Sequence, residues 1–286
     1  MARCGVCFRH CEIPEGGRGF CGARTCVNGT VYAGNYGKIT GFALDPIEKK
    51  PLRRFRPGSR ILSVGSCGCN LRCPFCQNHE ISWSAEAMAL AEKAEEISPE
   101  ELVAAALRAR DRGNIGIAFT YNEPLGGWEF VRDTARLSHE AGLLNVLVTN
   151  GTAELSVLEA IGPYIDAMNI DLKGFTARYY SAVLGGNLET VKTFIARAVQ
   201  ISHVELTTLI VPGENDTEEE MRAISGWISA LTDAEGQVIG HEIPLHVSRF
   251  FPRFRMTDRP ATDVRLVYSL ADTAREKLKY VYTGNC

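Results

Sequence analysis

The sequence has no run approaching the roughly 18 uninterrupted apolar residues of a spanning helix. No membrane segment is expected. Its first residues, MARCGVCFRHCEIPEGG, lack the apolar stretch of a secretory signal, so the expected location is cytoplasmic. There is no low-complexity tract and no repeat with a fixed period. Net charge is only −3, and no nucleic-acid fold motif is present, so nucleic acid is not an expected partner. The widest gap concerns cysteine. None occurs from Gln77 to Asn285, although the chain has ten. A disulfide framework would staple the whole fold and needs an oxidising compartment. Crowded cysteines in a cytosolic chain read instead as metal or iron–sulfur ligands.

What is present is a globular composition, 45% hydrophobic and 23% charged over 286 residues. That suffices for a sizeable core in one large domain or two small ones. Nine cysteines lie between Cys4 and Cys76. Residues 1–60 hold 11 Lys and Arg against 4 Asp and Glu, and the remainder holds 20 against 30. The basic excess is densest from Lys49 to Arg60. It reads as a solvated loop in preference to a patch for an acidic protein or nucleic acid.

Residues 1–60 read as a Cys-rich, metal-organised extension with a small hairpin over 31–47. Residues 61–286 read as the main domain. Apolar strands are expected at about 61–65, 115–121, 143–149, 165–172, 203–211 and 242–248. Helical segments alternate with them. One opens with Ser98 as N-cap, Pro99 in the first turn and Glu101 at the capping-box position, and closes at Gly113. Others span roughly 128–141, 153–161, 187–201, 217–231 and 263–278. Such alternation indicates a parallel α/β fold, here a partial six-stranded β/α barrel, with a doubly wound open sheet as the alternative.

Cys69, Cys73 and Cys76 form CxxxCxxC directly after the first expected strand. Three thiolates can hold three irons of a [4Fe–4S] cluster and leave the fourth iron open. A zinc loop, with Cys67 or His79 as a further ligand, is the structural alternative. Polar residues follow the other strands: Tyr121-Asn122-Glu123-Pro124, Thr149-Asn150-Gly151, Asp171-Leu172-Lys173 and Val211-Pro212-Gly213-Glu214-Asn215-Asp216. His246 and Ser248 lie in the sixth. Strand C-terminal ends share one face in this architecture, so these groups converge. Cys4, Cys7, Cys11 and Cys21 make a second ligand set, for zinc or for iron–sulfur, with Cys26 and His10 in reserve.

The CxxxCxxC motif resembles that of the radical S-adenosylmethionine (SAM) superfamily. The resemblance implies a [4Fe–4S] cluster at Cys69, Cys73 and Cys76. It implies SAM chelated to the open iron and cleaved to a 5′-deoxyadenosyl radical, with Phe75 beside the adenine. The strand-end motifs resemble the glycyl-radical-enzyme-activase-like branch. By that resemblance Glu123 takes the SAM ammonium and Lys173 faces its carboxylate, while Asn122, Thr149, Asn150, Asp171 and His246 complete the pocket. Tyr121-Asn122 stands where the branch has two glycines, and Val148 where it has an aspartate that helps hold a cation. Over most of the chain, strings such as CGVCFRHCEIPEGGRGFCGAR, TYNEP, VPGEND and HVSRFFPRFRMTDRP resemble the radical SAM enzyme of the AmmeMemoRadiSam system. That likeness implies Memo-like and AMMECR1-like partners. The family chemistry implies a flavodoxin or ferredoxin as electron donor and a small-molecule or protein substrate. Activation of a glycyl radical enzyme is the alternative function. A non-catalytic zinc or electron-transfer module is more remote, having no use for Glu123, Lys173 and His246.

Overall fold

Turn chemistry decides the layout of the N-terminal segment. The structure, a computed structural model, describes residues 1–286. Two short antiparallel pairs come first: β1 (Ala2–Arg3) with β2 (Glu12–Ile13), and β3 (Arg24–Val27) with β4 (Thr30–Ala33). Asn28 and Gly29, both at positive φ, turn the chain between β3 and β4. The hairpin expected over 31–47 is therefore corrected. Its first part pairs back onto β3, and its second, β5 (Gly41–Pro46), pairs antiparallel with β6 (Arg60–Gly65) at the edge of the main sheet.

From β6 the strands run parallel in sequence order: β7 (Asn114–Phe119), β8 (Leu144–Thr149), β9 (Ala167–Asp171), β10 (His203–Ile210), β11 (Leu245–Arg249) and β12 (Val281–Gly284). The order never reverses, which excludes the doubly wound alternative. β5 and β12 do not pair with each other, so the barrel stays open. The count of six parallel strands is corrected to seven. The extra strand, β12, is too short to show a period in sequence. It takes its place because the preceding helix returns the chain beside β11.

The helices are α1 (His79–Ser82), α2 (Ala85–Lys93), α3 (Pro99–Arg108), α4 (Trp128–Glu140), α5 (Leu155–Ile161), α6 (Leu188–Ala198), α7 (Glu218–Ser229) and α8 (Val264–Arg275). The capping box of α3 forms as expected. Ser98 Oγ accepts from Glu101 N–H (3.2 Å), and the Glu101 carboxylate accepts from Ser98 N–H (2.8 Å). A further short turn ends at Gly113, which is at φ 85°.

Strand residues alternate between two environments. Leu62, Ile117, Leu147, Ile170, Leu206 and Val247 join the main core with the helices. Ile61, Ala118, Val146 and Ala167 face the lumen and pack against Ile47 and Leu52. Those last two belong to the β5–β6 connection, so the basic run plugs the lumen at the end where β6 begins. Its Arg53, Arg54 and Arg56 side chains remain exposed. No helix is long and apolar enough to cross a membrane.

Candidate active site

The opposite end of the barrel carries the candidate site. The loop after β6 must turn sharply away from the sheet, and its residues are tied down from several sides. Ser66 N–H donates to Asn122 Oδ1 (3.0 Å), and Asn122 Nδ2 donates to Gly68 O (3.1 Å). Cys69 N–H donates to Cys21 O (3.0 Å), and Arg72 N–H to Leu184 O (2.8 Å). Arg255 N–H reaches Pro74 O (2.8 Å), so the Arg- and aromatic-rich segment after β11 lies against this loop. Phe254 stacks on His79 with ring centroids 4.2 Å apart. Gly68 sits at φ 100°, and a Cβ there would meet Cys21 O at 2.9 Å, so only glycine allows this approach.

Cys73 is 8% exposed, and Cys69 and Cys76 are half-buried. Burial pushes the Cys73 thiol up to about 11 and raises that of Cys69 well above its ordinary value. Such thiols become ligands when a metal supplies the compensating charge. Three thiols along one loop match the ligand set of an iron–sulfur cluster with one open iron.

Glu123 follows β7 and is 3% exposed. Its carboxylate accepts from Thr149 Oγ1 (2.8 Å), Asn150 N–H (2.8 Å) and Leu125 N–H (3.1 Å). Burial raises it to about 7 against the pull of those donors. Asn150 Nδ2 donates to Asn70 Oδ1 (2.9 Å) and lies 3.8 Å from Cys69 Sγ. Asp171 and Lys173 pair at 2.8 Å. Burial opposes the Lys173 charge, but Asp171 and Cys73 outweigh it and raise its pKa. Phe75 is buried, edge-on to Phe250 at 6.2 Å. The structure thus brings Cys69, Glu123, Thr149 and Asn150 into one hydrogen-bonded group, with Asp171, Lys173 and Cys73 alongside. Asn122 shapes the cysteine loop.

His246 makes its hydrogen bond to another carboxylate. It is in the lumen, with Nε2 2.7 Å from Glu205 Oε2 and its ring beside Tyr282. Glu205 is 0% exposed. It also faces His203 Nε2 (3.1 Å) and accepts from the N–H groups of Arg53 (2.9 Å) and Arg54 (2.7 Å). These partners hold its carboxyl down at about 2, despite the cost of burial. Sequence reasoning misses Glu205 because it sits mid-strand among apolar residues. It misses Asn70 although Asn70 stands inside the cysteine motif. A polar residue in an otherwise buried run is the signal that finds both.

Tyr121 stands at φ 74°, a conformation suited to glycine. Its ring covers Gly65 and Gly41, and its hydroxyl donates to Asp45 (2.7 Å). Lys50 Nζ pairs with the same carboxylate (2.9 Å) and lies over the ring at 4.5 Å. These contacts offset a local strain on the order of 1–3 kcal/mol.

Cys4, Cys7, Cys11 and Cys21 line one cavity, together with Arg9, Arg24, Asn70 and Glu123. The two reserve ligands are elsewhere. Cys26 Sγ is 3.8 Å from the Glu15 carboxylate, and His10 pairs with Glu154 at 3.3 Å. Cys67 lines a separate cavity with Arg18 and Lys38, and Cys286 is exposed.

Residues 63–224 match the profile of the Radical SAM superfamily. An uncharacterized protein of Methanocaldococcus jannaschii is 41% identical over 286 residues, covering 99% of this chain and 81% of that protein. The pyruvate formate-lyase-activating enzyme of Clostridium pasteurianum is 27% identical over 183 residues, 63% of this chain and 73% of that enzyme. Among solved structures, Streptococcus suis SuiB bound to precursor peptide SuiA superposes with a TM-score of 0.56 at 13% identity. That match covers 76% of this chain and 47% of SuiB, and it speaks to the fold alone.

Proposed function

The chain belongs to the radical SAM superfamily, a superfamily of enzymes, and on that premise we propose that it abstracts hydrogen from a small molecule or a protein residue. Cys69, Cys73 and Cys76 are the residues to hold the [4Fe–4S] cluster. When bound, the cluster and SAM together supply a 5′-deoxyadenosyl radical. The chain's own residues bind and orient. The Glu123 carboxylate receives the SAM ammonium, since it has unused acceptor capacity beyond its three donors. Lys173, kept charged by Asp171, faces the SAM carboxylate. Phe75, walled by Phe250, lies beside the adenine. Thr149 and Asn150 set the Glu123 carboxylate, and Asn122 sets the cysteine loop. His246 and Thr207, both lumen-facing and hydrogen-bonded below, line the space for substrate.

The single observation that carries this reading is the hydrogen-bonded chain from Glu123 through Asn150 to Asn70 beside Cys69. It couples an ammonium-binding carboxylate to the cysteine loop. A zinc or electron-transfer module has no use for such a group. Activation of a glycyl radical enzyme is the second reading, favoured by the likeness to an activating enzyme over 63% of the chain. An external flavodoxin or ferredoxin supplies electrons. Memo-like and AMMECR1-like proteins are proposed partners.

The test is anaerobic reconstitution with iron and sulfide, followed by SAM and dithionite. 5′-Deoxyadenosine should form in the wild type and fall to background in Cys73→Ala. Product formation that survives Cys73→Ala refutes the reading. A glycyl radical seen by electron paramagnetic resonance on a partner protein would select the activase.

A further inference from the structure

Four cysteines from the first 21 residues line one cavity. Cys4, Cys7 and Cys21 are buried and Cys11 is half-buried. Four thiolates complete the ligand set of a [4Fe–4S] cluster, one on each iron.

The walls of the cavity suit an anionic, sulfur-rich guest. Val6, Leu125 and Ala153 make it largely apolar. Arg24, 4% exposed, lines it, and its buried Nε has no partner, although its terminal nitrogen pairs with Glu129 at 2.6 Å. An unpaired buried N–H is destabilising unless something accepts from it, and a thiolate or bridging sulfide would. Arg9 lines the cavity too, and it donates to Asn70 O at 2.8 Å. Arg9 and Arg72 both lie over the ring of Phe20, with guanidinium carbons 3.5 and 3.7 Å from its centroid. Arg72 also donates to Cys69 O at 2.8 Å. Two cations thus attend the ground between the two cysteine groups.

The groups are joined directly. Cys69 N–H donates to Cys21 O at 3.0 Å, so one hydrogen bond links a residue of each set. Asn70 and Glu123 belong to the cavity wall and to the candidate SAM pocket at once.

We propose that Cys4, Cys7, Cys11 and Cys21 hold a second [4Fe–4S] cluster that relays electrons to the cluster at Cys69, Cys73 and Cys76 through the Cys21–Cys69 contact. One electron enters from an external flavodoxin- or ferredoxin-class reductant, which is oxidised as the N-terminal cluster goes from the 2+ to the 1+ state. That cluster returns to 2+ as the electron passes to the inner cluster, which goes from 2+ to 1+. No proton or bond is exchanged in the relay itself.

The relay rests on the radical SAM reading, but the presence of the second cluster does not. Full-length protein is reconstituted anaerobically with iron and sulfide, and iron, sulfide and zinc are counted. The wild type should hold about eight irons per chain. A Cys69→Ala/Cys73→Ala/Cys76→Ala variant should keep about four, with a reduced-cluster paramagnetic signal that SAM does not alter. A Cys4→Ala/Cys7→Ala variant should keep the SAM-sensitive signal and dithionite-driven SAM cleavage. Its cleavage driven by reduced flavodoxin should fall at least tenfold. About four irons with stoichiometric zinc, or no iron in the triple variant, overturns the second cluster. Flavodoxin-driven cleavage unchanged in Cys4→Ala/Cys7→Ala overturns the relay. Full iron in both sites with no 5′-deoxyadenosine would instead sink the radical SAM reading and leave the second cluster standing.

Discussion

Glu205→Gln should destabilise the barrel by about 3 kcal/mol at pH 7, the cost of removing a buried carboxylate charge that four hydrogen bonds hold. The carboxylate faces four groups in the wild type: His246 Nε2, His203 Nε2 and the N–H groups of Arg53 and Arg54. A glutamine keeps one oxygen and turns its NH2 toward one backbone N–H and one imidazole Nε2, which can accept in its other tautomer. The N–H contact to a charged acceptor is then lost, at about 1.5–3 kcal/mol. Linkage gives a similar figure. The partners hold Glu205 at about 2, against an ordinary 4.5. At about 1.4 kcal/mol per pH unit, that difference is about 3 kcal/mol. The sign follows from the folded value being the lower one. The stabilisation is fully present above 4.5 and is lost as pH falls toward 2. The gap between wild type and Glu205→Gln should therefore narrow by about 2 kcal/mol between pH 7 and pH 3. Urea unfolding of both proteins at matched metal content measures it. A gap below about 1 kcal/mol at pH 7, or one that stays constant down to pH 3, refutes the reasoning. The consequence reaches the lumen, because Glu205 sets the His246 ring and ties the Arg53–Arg54 backbone into the plug.

Two further predictions concern the opposite end of the barrel. Glu123→Gln puts an amide NH2 against a donor N–H and removes a negative charge, so SAM affinity should fall by about tenfold or more, consistent with a loss of about 2–5 kcal/mol for a buried charge partner. Anaerobic calorimetry reads this directly, and binding within a factor of three of wild type would remove Glu123 from the pocket. Gly68→Ala meets Cys21 O at 2.9 Å from a backbone at φ 100°. It should cost about 1–3 kcal/mol and lower the iron retained after reconstitution, whereas unchanged stability and iron content would show that the loop does not depend on this approach.

Much of the architecture was legible in the sequence. Ser98, Pro99 and Glu101 announced α3, and six parallel strands stood out as apolar runs. β12 did not, since four residues carry no measurable period. β5 did not either, because its pairing with β6 depends on where the Asn28-Gly29 turn sends the preceding hairpin. At the site, residue types in motifs were legible and their partnerships were not. The sequence marks Asn122 as a pocket residue but does not show that its side chain clasps the cysteine loop. The basic run was read as a solvated loop, and its arginine side chains are exposed, but its backbone closes the lumen through Glu205.

The sequence by itself determined which atoms are available: seven thiols in two spaced groups, and carboxylates and amines at strand ends. Spacing within one loop or one strand is local, so it survives in the linear order. Tertiary structure alone decided what those atoms face. It joined Cys21 to Cys69 across 48 residues of chain, set Arg24 over a cavity with an unpaired N–H, and paired His246 with Glu205. These are contacts between distant segments. They depend on how the strands stack and where the connections cross, and no periodicity in the chain records that.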